Sequence, residues 1–200
     1  MLEYTIEKSL TDKGYRYVCG VDEAGRGPLC GPVVAAACIL PEGLYIEGLN
    51  DSKKLTPKKR KIVFEQIKEH ALAYNIAEAS VEEIDELNIL EADMLAMRRA
   101  VEGLQIKADF ALVDGNIARG FPIPTMTVIK GDATSPSIAA ASILAKVTRD
   151  EMCEQMDRDY PQYGIAKHKG YGTKQHMDAL REFGPSPIHR KKFIRFLDEE

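Results

Sequence analysis

The feature that most constrains the fold is a set of short apolar segments that stop abruptly at charged residues or prolines. Residues 17–21 (YVCGV) run directly into Asp22, and residues 110–113 (FALV) run into Asp114. Residues 33–40 (VVAAACIL) are apolar throughout and are followed by a proline. Continuous apolar runs of this length, bounded by turn residues, are typical of strands buried on both faces of a sheet. The sequence therefore predicts buried strands, several of which end in carboxylates.

Helices and two weaker strands are expected around these segments. Ser80 and Glu83 have the spacing of a capping box, which marks the start of a short helix. Thr56 followed by Pro57 predicts an N-cap and the first position of a longer helix. Apolar content and turn residues give the remaining elements: strands at 74–80 and 125–129, and helices at 57 to about 71, 91–104 and 137–156.

The order of these elements predicts an α/β fold with a mixed five-stranded sheet flanked by helices. From about residue 160 to residue 200 the chain is basic, helical and interrupted by Gly and Pro. We expect this part to be a C-terminal helical extension packed on the same domain. A length of 200 residues, with 44% hydrophobic and 29% charged residues, is ordinary for a globular protein with a sizeable core. One domain over residues 1–200 is therefore expected.

Charge is distributed unevenly along the chain. The formal net charge of −4 argues against a protein that simply coats nucleic acid. However, residues 52–61 contain six basic residues and no acidic ones, and residues 161–195 contain eight basic and two acidic ones. Residues 78–93 contain seven carboxylates and no Lys or Arg. The segregation suits a polyanionic ligand held on one side, although each run taken alone is more typical of a solvated helix face.

The cysteines and the N-terminus indicate the compartment. The four cysteines form no C-x-x-C pair and no Cys/His cluster at zinc spacing, which favours small buried thiols in a reducing cytosol. The first fifteen residues lack the basic and apolar regions of a signal peptide, and no apolar run approaches the length of a membrane span. We expect a cytoplasmic protein that is not embedded in a membrane.

Asp22, Glu23, Asp114 and Asp132 follow predicted strands and are the candidate catalytic and metal-binding residues. Ligand sites in open α/β sheets lie at strand ends, where side chains from distant segments meet. Clustered carboxylates persist only with raised pKa values or a bound cation. Oxygen ligands favour Mg²⁺ or Mn²⁺, and two such ions about 4 Å apart support phosphoryl displacement. The alternative, that each Asp only caps a turn, stays open and is favoured for Asp114 with Gly115 taken alone.

Residues 25–32 (GRGPLCGP) form a glycine-rich turn beside the first two candidates. Its three glycines permit positive φ and close backbone approach, so main-chain N–H groups can meet a phosphate or a sugar hydroxyl. Arg26 can neutralise negative charge. The pattern matches neither a P-loop nor a dinucleotide-binding fingerprint.

Several motifs together resemble the ribonuclease HII family. They occur in the family's order across roughly residues 17–190, and the first of them is highly specific. The motifs are GVDEAGRGP at 20–28, GPVVAA at 31–36, NDSKKL at 50–55, VDG at 113–115, KGD at 130–132, AASILAKVTRD at 140–150 and HKGYGT at 168–173.

The resemblance implies a ribonuclease H-like fold and endonucleolytic cleavage of the RNA strand in RNA/DNA hybrids, including cuts 5′ of single ribonucleotides in duplex DNA. Products would have 3′-hydroxyl and 5′-phosphate ends. It implies Mg²⁺ or Mn²⁺, with two ions during catalysis, held by Asp22, Glu23, Asp114 and Asp132. The related ribonuclease HIII typically has Glu at the fourth carboxylate and an extra N-terminal domain. Asp132 and the roughly sixteen residues before the first strand favour HII.

By the same resemblance, Tyr171 and the backbone of Gly25, Arg26 and Gly27 recognise the ribose. Only the 2′-hydroxyl distinguishes a ribonucleotide at a given site, so groups near the scissile phosphate must sense it. The Tyr171 ring is expected to pack on the deoxyribose that follows the ribonucleotide. Without the family, an ordinary half-buried tyrosine would be the favoured interpretation.

Some of the other motif residues are expected to bind phosphates, and two of them can be interpreted in two ways. Lys53 and Lys169, together with Thr173, are expected to contact flanking phosphates, which set position rather than sequence preference. Asp150 either faces the metals or pairs with a neighbouring base. Lys146 either packs its stem or touches the substrate.

Two other classes of function stay open. One is a nucleic-acid-binding module without catalysis, and the other is a different nuclease of the same fold, such as a junction resolvase. The chain is expected to act as a monomer on RNA/DNA hybrid and ribonucleotide-containing duplex DNA, whereas a sliding clamp as partner stays undecided.

Overall fold

The structure, a computed structural model, describes residues 2–49 and 55–197. The described residues form five strands: β1 Val18–Ala24, β2 Val33–Ile39, β3 Ala73–Ala79, β4 Phe110–Asp114 and β5 Thr125–Val128. Their spatial order is β3-β2-β1-β4-β5. β1 pairs antiparallel with β2 and parallel with β4, and the outer strands continue these two patterns. The predicted mixed five-stranded sheet is confirmed.

Helices flank the sheet close to their predicted bounds. They are α1 Thr5–Thr11, α2 Pro57–His70, α3 Val81–Leu87, α4 Ile89–Glu102, α5 Pro136–Asp159, α6 Ile165–His168 and α7 Lys174–Phe183. The Thr56 hydroxyl accepts the Lys59 N–H at the start of α2, and Ser80 and Glu83 form the predicted capping box. The sequence did not predict α1.

β1 extends beyond its predicted end at Val21. Asp22 and Glu23 lie within β1, opposite Ala36 and Ala35 of β2, whereas the parallel pairing with β4 stops at Val21. The predicted boundary is wrong because the antiparallel partner β2 continues past the end of β4 and keeps β1 extended. Of the strands expected to end in Asp, only β4 does so.

The two faces of the sheet pack on different helices. Cys19 and Val21 belong to the apolar cluster that α4 covers, whereas Ala36 and Cys38 of β2 pack toward α2 and α5. Because α5 crosses the centre of the sheet, its N-terminal half is buried on all sides, which explains its small Ala and Ser residues. The cysteines are buried free thiols.

The C-terminal segment from α6 onward packs on the glycine-rich turn and the end of α5. A separate apolar cluster there includes Cys30, Cys153, Tyr163 and Leu180. An antiparallel bridge pairs Cys30 with His189. The predicted C-terminal helical extension is confirmed, with one-turn 3₁₀ helices at Lys191–Phe193 and Arg195–Leu197. None of the helices in the described part of the chain has the length and apolarity that a membrane span requires.

Candidate active site

A cleft of about 380 Å³ lies beside the ends of β1 and β4. It contains three of the four predicted carboxylates and the first three residues of the glycine-rich turn. The lining residues are Asp22, Glu23, Ala24, Gly25, Arg26, Gly27, Asp114, Ser142, Lys146, Arg149 and Tyr171.

Asp22 and Glu23 project to opposite faces of β1 because side chains alternate along a strand. The Asp22 carboxylate accepts the backbone N–H of Glu23 at 2.7 Å and a hydrogen bond from Ser142 of α5. Burial, followed by the charges of Glu23 and Asp114, raises the pKa of Asp22 well above its usual range. Burial also raises the pKa of Glu23, although Arg26 opposes that shift.

Asp114 and Asp132 are connected through one backbone hydrogen bond. Asp114 ends β4, and its Oδ1 accepts the N–H of Gly131 at 2.6 Å. Asp132 follows in a 3₁₀ turn and is buried. The expected strand up to residue 129 stops at Val128, and Asp132 is absent from the described cleft lining. The structure thus ties Asp132 to the site through its neighbour Gly131.

The carboxylates fit a divalent cation by their chemistry. Their ligand atoms are all oxygens, which Mg²⁺ and Mn²⁺ prefer. Burial and the charges of neighbouring carboxylates raise the pKa values of Asp22 and Glu23, and a bound cation would offset both effects. Within the described ranges, no three carboxylates bring their oxygens within 4.8 Å of one another.

The glycine-rich turn leaves little room for side chains. Gly25 has a φ of +102°, and a Cβ there would lie 2.0 Å from Nε of Arg149. A Cβ on Gly27 would lie 3.1 Å from the ring of Tyr171. Position 25 therefore requires glycine for its backbone conformation and for space. The bare backbone at Gly27 lets the exposed Tyr171 ring lie directly against the turn.

Arg26 lies between two carboxylates, one of which the sequence analysis missed. Its guanidinium is 3.5 Å from Glu23 and 3.4 Å from Asp93 of α4. Asp93 is fully buried, and neither of its oxygens has a hydrogen-bond partner in the described part of the chain. Burial and the charge of Glu23 raise the pKa of Asp93 to about 8, although Arg26 opposes the shift. The sequence signal that could have identified Asp93 as buried is helical spacing. Asp93 precedes Met97 and Ala100 by four and seven residues, which places all three on the same buried face of α4.

The residues expected to contact phosphates have varied environments. Lys53 lies outside the described residues. Lys169 is not in the described lining of the cleft, and its Nζ is 3.6 Å from a carboxylate oxygen of Glu154. The hydroxyl of Thr173 accepts the N–H of His176 and caps α7. Thr173 therefore has a structural role, and Lys169 lies outside the cleft.

Lys146 and Asp150 pair with each other one turn apart on α5. Lys146 Nζ lies 2.7 Å from the Asp150 carboxylate, and Arg60 of α2 lies 3.4 Å from the same group. Lys146 lines the cleft, whereas Asp150 is not part of its described lining. Of the two interpretations of Asp150, this geometry favours pairing with bases.

Cys30, His176 and His189 are the described residues that bring three potential ligand atoms within 4.8 Å of one another. No spacing signals them, because they come from distant segments. The two Nε2 atoms are 3.1 Å apart, Nδ1 of His176 faces the Tyr171 carbonyl, and Nδ1 of His189 accepts the Ser186 N–H. Because a backbone N–H can only donate, Nε2 of His189 carries the proton and donates to His176. All four ring nitrogens are therefore hydrogen-bonded, and the pair joins α7 to the residues around His189 that follow it.

Comparison with known proteins finds relatives that match most of this chain. The family profile described as Ribonuclease HII matches residues 19–196. Ribonuclease HII of Desulfitobacterium hafniense is 57% identical over 187 residues, which cover 94% of this chain and 72% of that protein.

Two solved structures share the fold along most of their length. The crystal structure of ribonuclease H2 from Pyrococcus horikoshii OT3 aligns with a TM-score of 0.75 at 29% identity, covering 92% of this chain and 98% of that one. A chain of the PCNA:RNase HII complex from Archaeoglobus fulgidus aligns with a TM-score of 0.73 at 25% identity, covering 92% and 97%.

The profile match over residues 19–196 and the 57% identity to a ribonuclease HII establish which family the chain belongs to. Its members are metal-dependent endoribonucleases that cleave the RNA strand of RNA/DNA hybrids. The chain belongs to the ribonuclease HII family.

Proposed function

We propose that this chain cuts 5′ of ribonucleotides, both in RNA/DNA hybrids and at single ribonucleotides embedded in duplex DNA, leaving 3′-hydroxyl and 5′-phosphate ends. The observation that carries the proposal is the composition of one cleft. Asp22, Glu23 and Asp114 line it together with Gly25–Gly27 and Tyr171. Hydrolysis and ribose recognition can therefore act on the same nucleotide.

Asp22, Glu23, Asp114 and Asp132 are the proposed ligands of two Mg²⁺ or Mn²⁺ ions. Such a pair, when bound, supplies activation of a water and stabilisation of the leaving oxygen. The protein prepares the ligands with hydrogen bonds, since the Glu23 N–H and Ser142 bonds favour the ionised form of Asp22. The Gly131 N–H donates to Asp114 Oδ1 at 2.6 Å and fixes the orientation of that side chain.

The proposed substrate contacts surround these carboxylates. The exposed ring of Tyr171 offers an apolar surface for the deoxyribose that follows the ribonucleotide. Arg26 and the turn backbone approach the ribonucleotide, and Lys53 and Lys169 contact flanking phosphates. Lys169 can leave Glu154 at little cost, because Glu154 is exposed to solvent and the two charged atoms are 3.6 Å apart.

A binding module without catalysis fits the cleft poorly. Carboxylates that line a phosphate-binding surface repel a polyanion, and they improve binding only when cations neutralise them. A junction resolvase shares the need for carboxylates but gives no reason for a glycine-rich turn packed against a tyrosine ring.

We also propose that residues 1–200 form one catalytic domain, with residues from about 160 packed on it, acting as a monomer in the cytoplasm. The apolar cluster that joins the C-terminal segment to α5 supports a single domain. A sliding clamp is an undecided partner, and the Archaeoglobus fulgidus neighbour is a PCNA:RNase HII complex. Size-exclusion chromatography with light scattering, with and without a clamp, tests the monomer and the partner together.

To test the proposal, the protein is incubated with Mg²⁺ or Mn²⁺ and a DNA duplex that carries one ribonucleotide, and both product ends are mapped. We expect one cut 5′ of the ribonucleotide with 3′-hydroxyl and 5′-phosphate ends. An all-DNA duplex and an all-DNA four-way junction are the controls. Binding without cleavage would support the binding module, and cleavage of the junction would support a resolvase.

A further inference from the structure

A buried arginine from the C-terminal segment holds the backbone of the glycine-rich turn. Arg190 has 0% exposure. Its guanidinium donates to the carbonyl oxygens of Gly25 at 2.6 Å, Arg26 at 3.0 Å, Pro28 at 2.8 Å and Gly31 at 2.9 Å. Because a guanidinium is planar and its N–H directions are fixed, one side chain sets the orientation of several peptide planes.

These carbonyl directions determine where the amides of the turn point. In a trans peptide the C=O and the following N–H point in opposite directions, and no cis peptide bond occurs in residues 2–49 and 55–197. The carbonyls of Gly25 and Arg26 point at Arg190, which is buried. The N–H groups of Arg26 and Gly27 therefore point away from it, and residues Gly25–Gly27 line the cleft.

The same two N–H groups are unused by the protein. Neither has an acceptor among the residues that the structure describes. By contrast, the amide after the Pro28 carbonyl, on Leu29, donates to Gly170 at 2.8 Å, and the Gly31 carbonyl precedes a proline. The turn thus presents two adjacent backbone donors.

Arg190 is itself fixed from several sides. Its backbone N–H donates to the Leu29 carbonyl at 2.9 Å, and its guanidinium lies 5.2 Å from the centre of the Phe193 ring. The preceding residue, His189, forms the bridge with Cys30. Arg190 is therefore a rigid support for the turn.

We propose that Arg190 is a positioning residue for ribose recognition, which aims the N–H groups of Arg26 and Gly27 at the 2′-hydroxyl oxygen of the substrate ribonucleotide. The inference rests on the proposed function, because it requires a ribonucleotide in the cleft. Flanking phosphates are present in RNA and DNA alike, whereas the 2′-hydroxyl separates them. The selectivity for ribonucleotides would then depend on two backbone N–H groups whose orientation Arg190 fixes.

The test compares Arg190→Lys with Leu180→Ala. Lysine keeps the charge but has only three N–H donors, so it cannot bond all four carbonyls. Leu180 is buried in the apolar cluster of the C-terminal segment and contributes only apolar packing. Two quantities are measured per folded molecule: kcat/KM on the single-ribonucleotide duplex, and the inhibition constant of an all-DNA duplex of the same sequence.

For Arg190→Lys we expect kcat/KM to fall about tenfold, the effect of losing one or two hydrogen bonds, with the inhibition constant unchanged. Leu180→Ala should change neither. An unchanged kcat/KM in Arg190→Lys, or a parallel loss of both quantities, would overturn the proposal. A wild type that fails to cut at the ribonucleotide would instead refute the proposed function.

A measurement that keeps Arg190 covers the case in which Arg190→Lys does not fold. Amide hydrogen exchange is followed in Mg²⁺ with the Asp132→Asn variant, which is expected to bind without cleaving, and with the ribonucleotide duplex or the all-DNA duplex bound. We expect slower exchange at Arg26 and Gly27 with the ribonucleotide duplex only. Equal exchange with both duplexes would contradict the proposal.

Discussion

The buried carboxyl of Asp93 makes a quantitative prediction about stability and pH. Its pKa is raised from 3.8 to about 8, chiefly because it is buried and also because Glu23 lies near. Replacing Asp93 with Asn keeps the shape of the side chain and removes the ionisation. The variant should therefore lose the part of the pH dependence that Asp93 supplies, while Arg26 keeps Glu23 as an ion-pair partner.

The sign and size follow from proton binding. Between about pH 4 and pH 8 the folded state keeps a proton on Asp93 that the unfolded state releases. The free energy of unfolding of the wild type therefore falls as the pH rises through this window, by up to about 1.4 kcal/mol per pH unit. From pH 5 to pH 8 the loss is at most about 4 kcal/mol, or on the order of 10 °C in Tm for a chain of this size. Below the window both states hold the proton, and above it neither does.

Thermal denaturation from pH 5 to pH 8 in chelator is the assay. The difference in Tm between Asp93→Asn and the wild type should increase steadily with pH. Glu86→Gln, at an exposed position on α3, is the matched control. Its Tm difference from the wild type should stay constant over the same pH range. If the Tm difference for Asp93→Asn is flat or shrinks as the pH rises, the buried carboxyl is not titrating as described.

Three further outcomes are expected. Gly25→Ala should lower Tm more than Gly43→Ala, since both positions have positive φ but only Gly25 lacks space for a Cβ; equal losses would rule out the clash with Arg149. Tyr171→Ala should reduce cleavage at the ribonucleotide much more than Mn²⁺ affinity measured by calorimetry, and equal loss of both would contradict its role in substrate packing. Mn²⁺ should raise the Tm of the wild type more at pH 8 than at pH 5, because protons compete for Asp22, whose pKa is raised by burial; a pH-independent increase would place the ion elsewhere.

Local signals in the sequence predicted most elements of the fold. The N-cap at Thr56 and the capping box at Ser80 mark helix starts because a side-chain oxygen within three residues satisfies a free N–H. The apolar run at 33–40 predicts β2 because both of its faces are buried. Asp114 was found for the same reason, since charge begins where the buried strand stops.

Elements that depend on distant partners could not be predicted in this way. Helix α1 has only seven residues, and its Glu7 accepts hydrogen bonds from Ser135 and Ser137, far along the chain. The extension of β1 through Glu23 depends on the length of its partner β2. A seven-residue helix and a charged strand end are both marginal without these tertiary contacts.

The candidate site likewise contains residues that local sequence motifs identify and residues that only the folded structure identifies. Its carboxylates and glycines lie in contiguous motifs, so their residue types announce a site. Asp93 and Arg190 lie outside such motifs. Helical spacing places Asp93 on a buried face, but only folding brings Asp93 and Arg190 to Arg26, from 67 and 164 positions away along the chain. Their burial as charged residues is the structural observation that identifies them.

The central claim is that the carboxylate cluster performs cleavage and that the rest of the cleft binds and selects the substrate. The most direct measurement compares the wild type with Asp22→Asn and Asp132→Asn on the single-ribonucleotide duplex, recording turnover in Mg²⁺ or Mn²⁺ and duplex affinity in parallel. We expect both variants to lose turnover while the Kd for the duplex stays close to the wild-type value. Undiminished cleavage in either variant would contradict the assignment of that carboxylate to catalysis.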